Sequence, residues 1–304
     1  MHILILGSAA GGGFPQWNCG CANCAGIRQK SFPGKARTQA QIALSSDGLN
    51  WFLAGASPDL TRQIENFPEL HPRGARGSPV AGLVLGSADL DHVAGLLLLR
   101  ELQPLRVYAS TSVLGILREE NSMFGILNRV DPQVLWTAIK SGTRFPLLRS
   151  DEKETGLTCE AIFLSGRYPK YVKTDAMKLG ALEASAGLFF ESNSGKRLAY
   201  LPAIGSLNQD LLRKIDGVDL LMFDGTFWSD DELIRVQGGG ETAHQMGHIP
   251  VEESLRLLKD LKVERKMFIH LNNTNPVLNE SSAEHRAVRQ AGWEVAEDNW
   301  RLEL

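Results

Sequence analysis

Short apolar runs broken by Gly, Asn, Asp and Ser recur along the chain, and most of them predict strands. Residues 1–7 (MHILILG) read as a buried first strand. Residues 41–45 and 51–55 flank Ser46-Asp47-Gly48 and predict a hairpin. Ser57-Pro58 has the look of a helix start, with Ser57 as N-cap and Pro58 at the first helical position. Strand and helix then alternate: strand 82–86, helix 93–101, strand 105–109, helix 111–120. A strand over 157–165 is followed by a second hairpin, 187–191 with 197–202, then helix 208–215 and strand 218–224. Helix 250–261, strand 266–270, helix 282–291 and a final strand 293–303 complete the pattern. Hairpins mixed with βα units predict an α+β or mixed α/β fold. With no repeat, low-complexity stretch or linker, the chain reads as a single domain over 1–304, with 143–156 and 236–247 as its most mobile segments.

Composition narrows the function. A chain that is 43% hydrophobic and 22% charged is that of a soluble globular protein. A net charge of −3 argues against nucleic acid as a main partner. No apolar run approaches the roughly 20 residues that span a bilayer. The first segment lacks a basic leader, so no membrane insertion and a cytoplasmic location are expected. The loop Gly7-Ser8-Ala9-Ala10-Gly11-Gly12-Gly13 fails the GxGxxG pattern in either register, which speaks against a dinucleotide site.

Chemistry-bearing residues gather at strand ends. Asp89, Asp91 and His92 follow strand 82–86, Asp224 ends strand 218–224, and His270 ends strand 266–270. His248 lies just before a helix. Open α/β sheets place their sites at such ends. A single Asp there is ordinarily a turn or cap residue, but several carboxylates and imidazoles at separate strand ends point to metal chemistry. Of the four cysteines, Cys19, Cys21 and Cys24 form CxCxxC. Three thiolates in six residues suit three corners of a structural zinc site; a redox dithiol or buried thiols are the alternatives. Cys159, in an apolar strand, reads as core. In HQMGH, Gly247 argues against a helix and no Glu follows His244, so a zincin motif fails and His244 reads as a loop residue.

The stretch SADLDHVAG resembles the HxHxDH loop of the metallo-β-lactamase superfamily. Asp224 in LMFDGTFW resembles its bridging aspartate, His248 in GHIPVEESL the histidine before a helix in its phosphodiesterase branch, and His270 in FIHLNN its last histidine ligand. Within the superfamily, GSAAGGGFPQWNCGCANC, SADLDH, FDGTFW and HLNNTNP are similar to the pyrroloquinoline quinone (PQQ) biosynthesis B family, over essentially the whole chain. The resemblance implies a four-layer αββα sandwich with metals at one edge.

The chain departs from the hydrolases in an ordered way. Ser87 and Asp89 stand where the first two histidines would, and FLSGRYPKY lacks the third. One metal position is thereby dismantled, and the two-ion clamp of hydrolysis with it. Asp91, His92, Asp224 and His270 remain for the other. That mixed N/O set suits Fe(II), with Zn(II) or Mn(II) as alternatives, and is similar to the sites of non-haem iron oxygenases. The resemblance then implies a step toward PQQ: iron- and oxygen-dependent hydroxylation of a tyrosine-derived precursor, free or still within a precursor peptide. The alternative is a carrier that binds PQQ or its precursor for release or transport toward the periplasm. Asp89 is expected as an additional ligand or a base, and His248 as a proton carrier or hydrogen-bond donor on the substrate side. In related phosphodiesterases the fourth zinc ligand is a histidine three residues after the last active-site histidine; Asn273 holds that place here, and water or a carboxylate are the alternatives. Phe14, Trp17, Phe227 and Trp228 are candidates for stacking on an aromatic substrate, with core packing the other reading. Arg167, Lys170 and Lys173 could meet substrate carboxylates or form a solvated basic loop.

Overall fold

The computed structural model describes residues 1–173 and 179–304. Fourteen strands run among the described residues: β1 (His2–Gly7), β2 (Gln41–Ser45), β3 (Trp51–Ala54), β4 (Val80–Val84), β5 (Leu105–Ala109), β6 (Val134–Ala138), β7 (Arg144–Leu148), β8 (Glu154–Leu164), β9 (Ser185–Ser192), β10 (Arg197–Leu201), β11 (Leu220–Asp224), β12 (Arg265–Ile269), β13 (Trp293–Val295) and β14 (Trp300–Glu303). The chain divides into two compact units. One comprises Met1–Leu6, Gln41–Arg197 and Asn299–Leu304; the other comprises Gly7–Ala40 and Leu198–Asp298.

The first unit is built on a seven-stranded mixed sheet, ordered β14-β1-β2-β3-β4-β5-β6. β1 and β14 are antiparallel, as are β2 and β3, with Ile42 opposite Ala54. The run from β3 through β6 is parallel. The β2–β3 turn forms where it was expected: Asp47 accepts the backbone N–H groups of Leu49 and Asn50, and Gly48 takes a φ of 68°. Every residue of β2, β3 and β5 is buried, which explains why most of their positions are apolar and none of the three alternates apolar with exposed polar ones. Trp51, Leu53, Phe67, Leu83 and Val107 belong to one core cluster. β7, β8 and β9 form an antiparallel ribbon in the same unit.

Two sequence expectations are corrected in this unit. Segment 143–156, expected as one of the most mobile, holds strand β7 and the start of β8. Phe145 stacks on Tyr108 with ring centres 5.2 Å apart, and the Tyr108 hydroxyl accepts the Leu148 N–H at 2.8 Å. Pro146 and the polar flanks hide this strand from pattern reading. The helix expected over 93–101 is a single α-turn, Leu90–Val93, followed by a 3₁₀ segment, Ala94–Leu99. The cause is close backbone contact. Ala56 N–H donates to the His92 carbonyl at 2.7 Å and Gly95 N–H to the Ala56 carbonyl at 2.8 Å. A methyl group at Gly95 would fall on the carbonyls of Ser57 and Ala56, so only glycine lets the two segments meet.

The second unit holds β10 to β13, all parallel, with Leu201 opposite Phe223 and Asp224 opposite Ile269. Trp293 stacks on Phe268 at 4.3 Å and meets Phe223 edge-on, anchoring the sheet's core. Its helices start on side-chain caps where the sequence offers them: Asn208 caps Gln209–Ile215 and Ser282 caps Ala283–Gln290. The strand expected over 293–303 is two strands, β13 and β14. Between them Asp298 is pinned inside the second unit, accepting Ser8 Oγ at 2.7 Å and Thr38 N at 2.6 Å, and Asn299 turns the chain with a φ of 70°. The glycine-rich loop after β1 runs beside the residues that follow β12: Leu271 N–H donates to the Ser8 carbonyl and Ala10 N–H to that of Leu271. Its glycines serve chain reversal at Gly12 and Gly13. No helix among the described residues is long and apolar enough to cross a membrane.

Candidate functional site

In the second unit the parallel strands deliver their ends to one edge, as such sheets do. Asp224 ends β11, fully buried, and His270 directly follows β12. The Asp224 carboxylate accepts four donors. Oδ1 takes Thr226 N at 2.9 Å and Thr226 Oγ1 at 2.6 Å; Oδ2 takes Ile204 N at 2.9 Å and His248 Nδ1 at 2.7 Å. Burial alone would push this carboxyl up, but the adjacent His248 and His270 imidazoles and the Thr226 hydroxyl hold it below the usual carboxylate range. His270 Nδ1 lies 2.8 Å from Thr226 Oγ1, and its ring stacks on that of His248 at 5.7 Å. Phe227 meets His248 edge-on at 5.8 Å. His270 adopts a φ of 63°, a left-handed conformation uncommon outside glycine. Asp224, His248 and His270 each offer a ligand atom, and these atoms lie within 4.8 Å of one another. The donor set therefore fits a hard or borderline dication.

In the first unit the turn after β4 carries Ser87, Asp89, Asp91 and His92. Asp89 stands at the N-cap of Leu90–Val93, yet its side chain caps nothing; its Oδ2 accepts Ser87 Oγ at 2.8 Å. Ser87 Oγ lies 2.9 Å from His92 Nδ1. Asp91 Oδ2 lies 3.8 Å from His92 Nε2. Tyr171 donates its hydroxyl to the Ala88 carbonyl, bracing the turn.

The cysteine knuckle lies wholly in the second unit. Cys21 precedes the short helix Ala22–Arg28, which buries Cys24, and the sulfurs of Cys19, Cys21 and Cys24 lie within 4.8 Å of one another. Asn273 closes the group: its side-chain Nδ2 lies 3.1, 3.7 and 3.4 Å from the sulfurs of Cys19, Cys21 and Cys24. A half-turn of that amide exchanges nitrogen for oxygen, so the same residue can face thiols as a donor or a cation as an acceptor. Burial, with the neighbouring sulfurs adding to it, pushes the Cys24 thiol up to about 11. Three clustered thiolates need a cation, and the set fits zinc. Asn23 Nδ2 donates to the carbonyls of Asn273 and Asn275 at 3.1 Å each, and Asn275 Nδ2 reaches Gly225 O at 2.8 Å. Knuckle and strand ends thus share one short polar chain.

The remaining candidates separate. Phe14 packs in the core against Phe32, whereas Trp17 is 85% exposed. Phe227 is buried at the His248 ring, and the Trp228 N–H is held by Glu232. His244 pairs with Glu253 at 2.9 Å. Cys159 is fully buried in β8, and Arg167, Lys170 and Lys173 are exposed.

Pattern reading missed Thr226, Ile204 and Glu232. Thr226 had one signal, a hydroxyl two residues past a strand-end Asp. Glu232, 3% exposed, accepts Thr274 Oγ1 at 2.5 Å and Trp228 N at 2.6 Å. Burial pushes its carboxyl from 4.5 to about 7. Between those pH values the folded chain keeps a proton that the unfolded chain has lost, so stability should fall as pH rises from 4.5 through 7, by about 3 kcal/mol in all. Glu232→Gln should flatten that slope in urea-midpoint measurements across the range; an unchanged slope would clear Glu232 of the effect.

A family model described as the Beta-lactamase superfamily domain matches residues 50–271. The coenzyme PQQ synthesis protein B of Methylorubrum extorquens is 41% identical over 309 residues, covering 100% of both chains. The crystal structure of zinc-bound PqqB from Methylobacterium extorquens superposes with a TM-score of 0.92 at 41% identity, again over 100% of both chains. A diphosphatase of the PhnP family shares the fold alone, with a TM-score of 0.69 at 19% identity over 100% and 96% of the two chains. The metallo-β-lactamase fold expected from the strand-end motifs is therefore the fold of this protein. From residues 1 to 304, the chain belongs to the coenzyme PQQ synthesis protein B family of the metallo-β-lactamase superfamily.

Proposed function

We propose that the protein hydroxylates a tyrosine-derived precursor of PQQ, using O₂ and a single iron. The observation that carries this reading is the buried cluster of Asp224, His248 and His270 at the strand ends, a mixed N/O donor set, in a chain that has Ser87 and Asp89 in place of the first two hydrolase histidines. Asp91, His92 and His270 would hold the iron, with Asp224 as fourth ligand. For Asp224 to ligate, one of its four donors must yield an oxygen; His248, the only imidazole among them, is the group able to leave. When bound, iron would supply the redox chemistry that activates O₂ toward a phenol. An aromatic C–H becomes C–OH, the second oxygen atom leaves as water, and the two electrons and two protons this requires come from a two-electron reductant and the solvent. His248, released from Asp224 and walled by Phe227, would take the phenolic proton or return one. Asp89, tied to Ser87, would be an additional ligand or a base at the first-unit turn. Cys19, Cys21 and Cys24, with Asn273 as fourth partner, would hold a structural zinc.

The second reading is a carrier that binds PQQ or its precursor without turnover; the replaced hydrolase histidines favour it. Elemental analysis of protein purified without oxygen or added metal, beside Asp91→Ala, separates the two. The hydroxylase reading expects one zinc and about one iron per chain, with iron alone lost in the variant. One zinc and no iron, unchanged by the substitution, would overturn it in favour of the carrier.

A further inference from the structure

Ser87 and Thr226 are absent from every ligand set considered above, yet they hold matching places. In the first unit the contacts run Asp89 Oδ2, Ser87 Oγ, His92 Nδ1, at 2.8 and 2.9 Å. In the second they run Asp224 Oδ1, Thr226 Oγ1, His270 Nδ1, at 2.6 and 2.8 Å. Both hydroxyl residues are buried, Ser87 at 2% and Thr226 at 3% exposure. A hydroxyl has one proton to give, and a carboxylate can only accept. Each hydroxyl must therefore spend its proton on its carboxylate and accept from the imidazole, which places the ring proton on Nδ1 in both histidines. The Ser87 oxygen has a further lone pair for the Asp89 N–H at 3.2 Å, so its valences close.

We infer that Ser87 and Thr226 are positioning residues which lock His92 and His270 as Nδ1–H tautomers, presenting Nε2 of each ring to the metal. The inference rests on the reading of these histidines as ligands. It gives the departure from the hydrolase pattern a purpose. Ser87 and Asp89 stand where a two-metal enzyme has its first two histidines, and here they support the neighbouring histidine. The second unit builds the same carboxylate–hydroxyl–imidazole chain from a different order of residues, Asp224 and Thr226 on one strand end and His270 on the next. Such supporting partners fix the ring orientation and tautomer of a metal-bound histidine, and their loss weakens metal affinity by roughly 10–100-fold.

The test uses the full chain with its knuckle zinc, labelled with ¹⁵N-histidine and stripped of the active-site metal, observed by long-range ¹H–¹⁵N NMR. Both rings should be Nδ1–H tautomers in the parent, a result that requires no variant to fold. Ser87→Ala should release His92 alone from that tautomer, and Thr226→Val His270 alone; Ser87→Thr and Thr226→Ser, which keep the hydroxyl, should restore the parent spectrum. Co(II) titration followed by its visible absorption should show roughly 10–100-fold weaker binding in Ser87→Ala and Thr226→Val, and near-parental binding in the hydroxyl-keeping pair. Either ring found as Nε2–H in the parent, or parental Co(II) affinity in Ser87→Ala and Thr226→Val, would overturn the inference. Parental Nδ1–H tautomers with no Co(II) binding at all would overturn the part of the inference that presents Nε2 to a metal and, separately, the iron reading.

Discussion

Replacing His270 or His92 with alanine is expected to strip the active-site metal and stop oxygen-dependent turnover, while the knuckle keeps its zinc. Each substitution removes one of two imidazole donors from the proposed ligand set, whose other members are carboxylates. The effect should exceed the roughly 100-fold that follows loss of a supporting hydrogen bond, because a donor itself is gone. His270→Ala also leaves Thr226 Oγ1 without the ring it faces at 2.8 Å, beside a fully buried Asp224. Two readouts separate site loss from collapse: iron and zinc content per chain, and oxygen uptake with a catechol-bearing tyrosine derivative. Iron lost, zinc retained and uptake abolished is the expected pattern. Full uptake in both variants would sink the hydroxylase assignment.

Cys24→Ala is expected to release zinc and to lower the melting temperature by roughly 5 °C, the shift that a loss of about 3 kcal/mol produces in a chain of this length. Metal held only by the folded state stabilises it, and losing one of three thiolates weakens that hold. Cys24 is the most buried of the three, at 0% exposure, so its loss removes the innermost sulfur of the cluster. Cys159→Ala is the matched control. That thiol is also fully buried but lies in β8, apart from the cluster, so zinc content should be unchanged. Zinc content that stays the same in Cys24→Ala would mean the metal sits elsewhere.

The sequence exposes the strand ends more clearly than the paths between them. Asp224, His270 and Cys19-Gly20-Cys21 were legible because their residue types are unusual in their places. β7 was not, because Pro146 and exposed polar positions carry no alternation, and its stability comes from Tyr108 on a distant strand. The helix expected over 93–101 is cut short: the apolar run Leu96–Leu99 has helical composition, but contact between Gly95 and the carbonyls of Ala56 and Ser57 redirects it. Asp89 looked like a helix cap or a ligand, and only its distance to Ser87 shows what its side chain holds. Ile204 has no local signature and Thr226 only a hydroxyl two residues past a strand-end Asp, since their roles arise where β10, β11 and β12 end side by side.

The left-handed backbone at His270 has a consequence for how this protein can change. A side chain other than glycine in that conformation costs on the order of 1 kcal/mol, and glycine or asparagine would occupy φ 63° more easily. Proteins selected only for resistance to heat drift toward residues their backbone prefers. In a metal-free library sorted by survival at high temperature, position 270 would shed its imidazole, and the fittest survivors by that criterion would be the ones least able to bind.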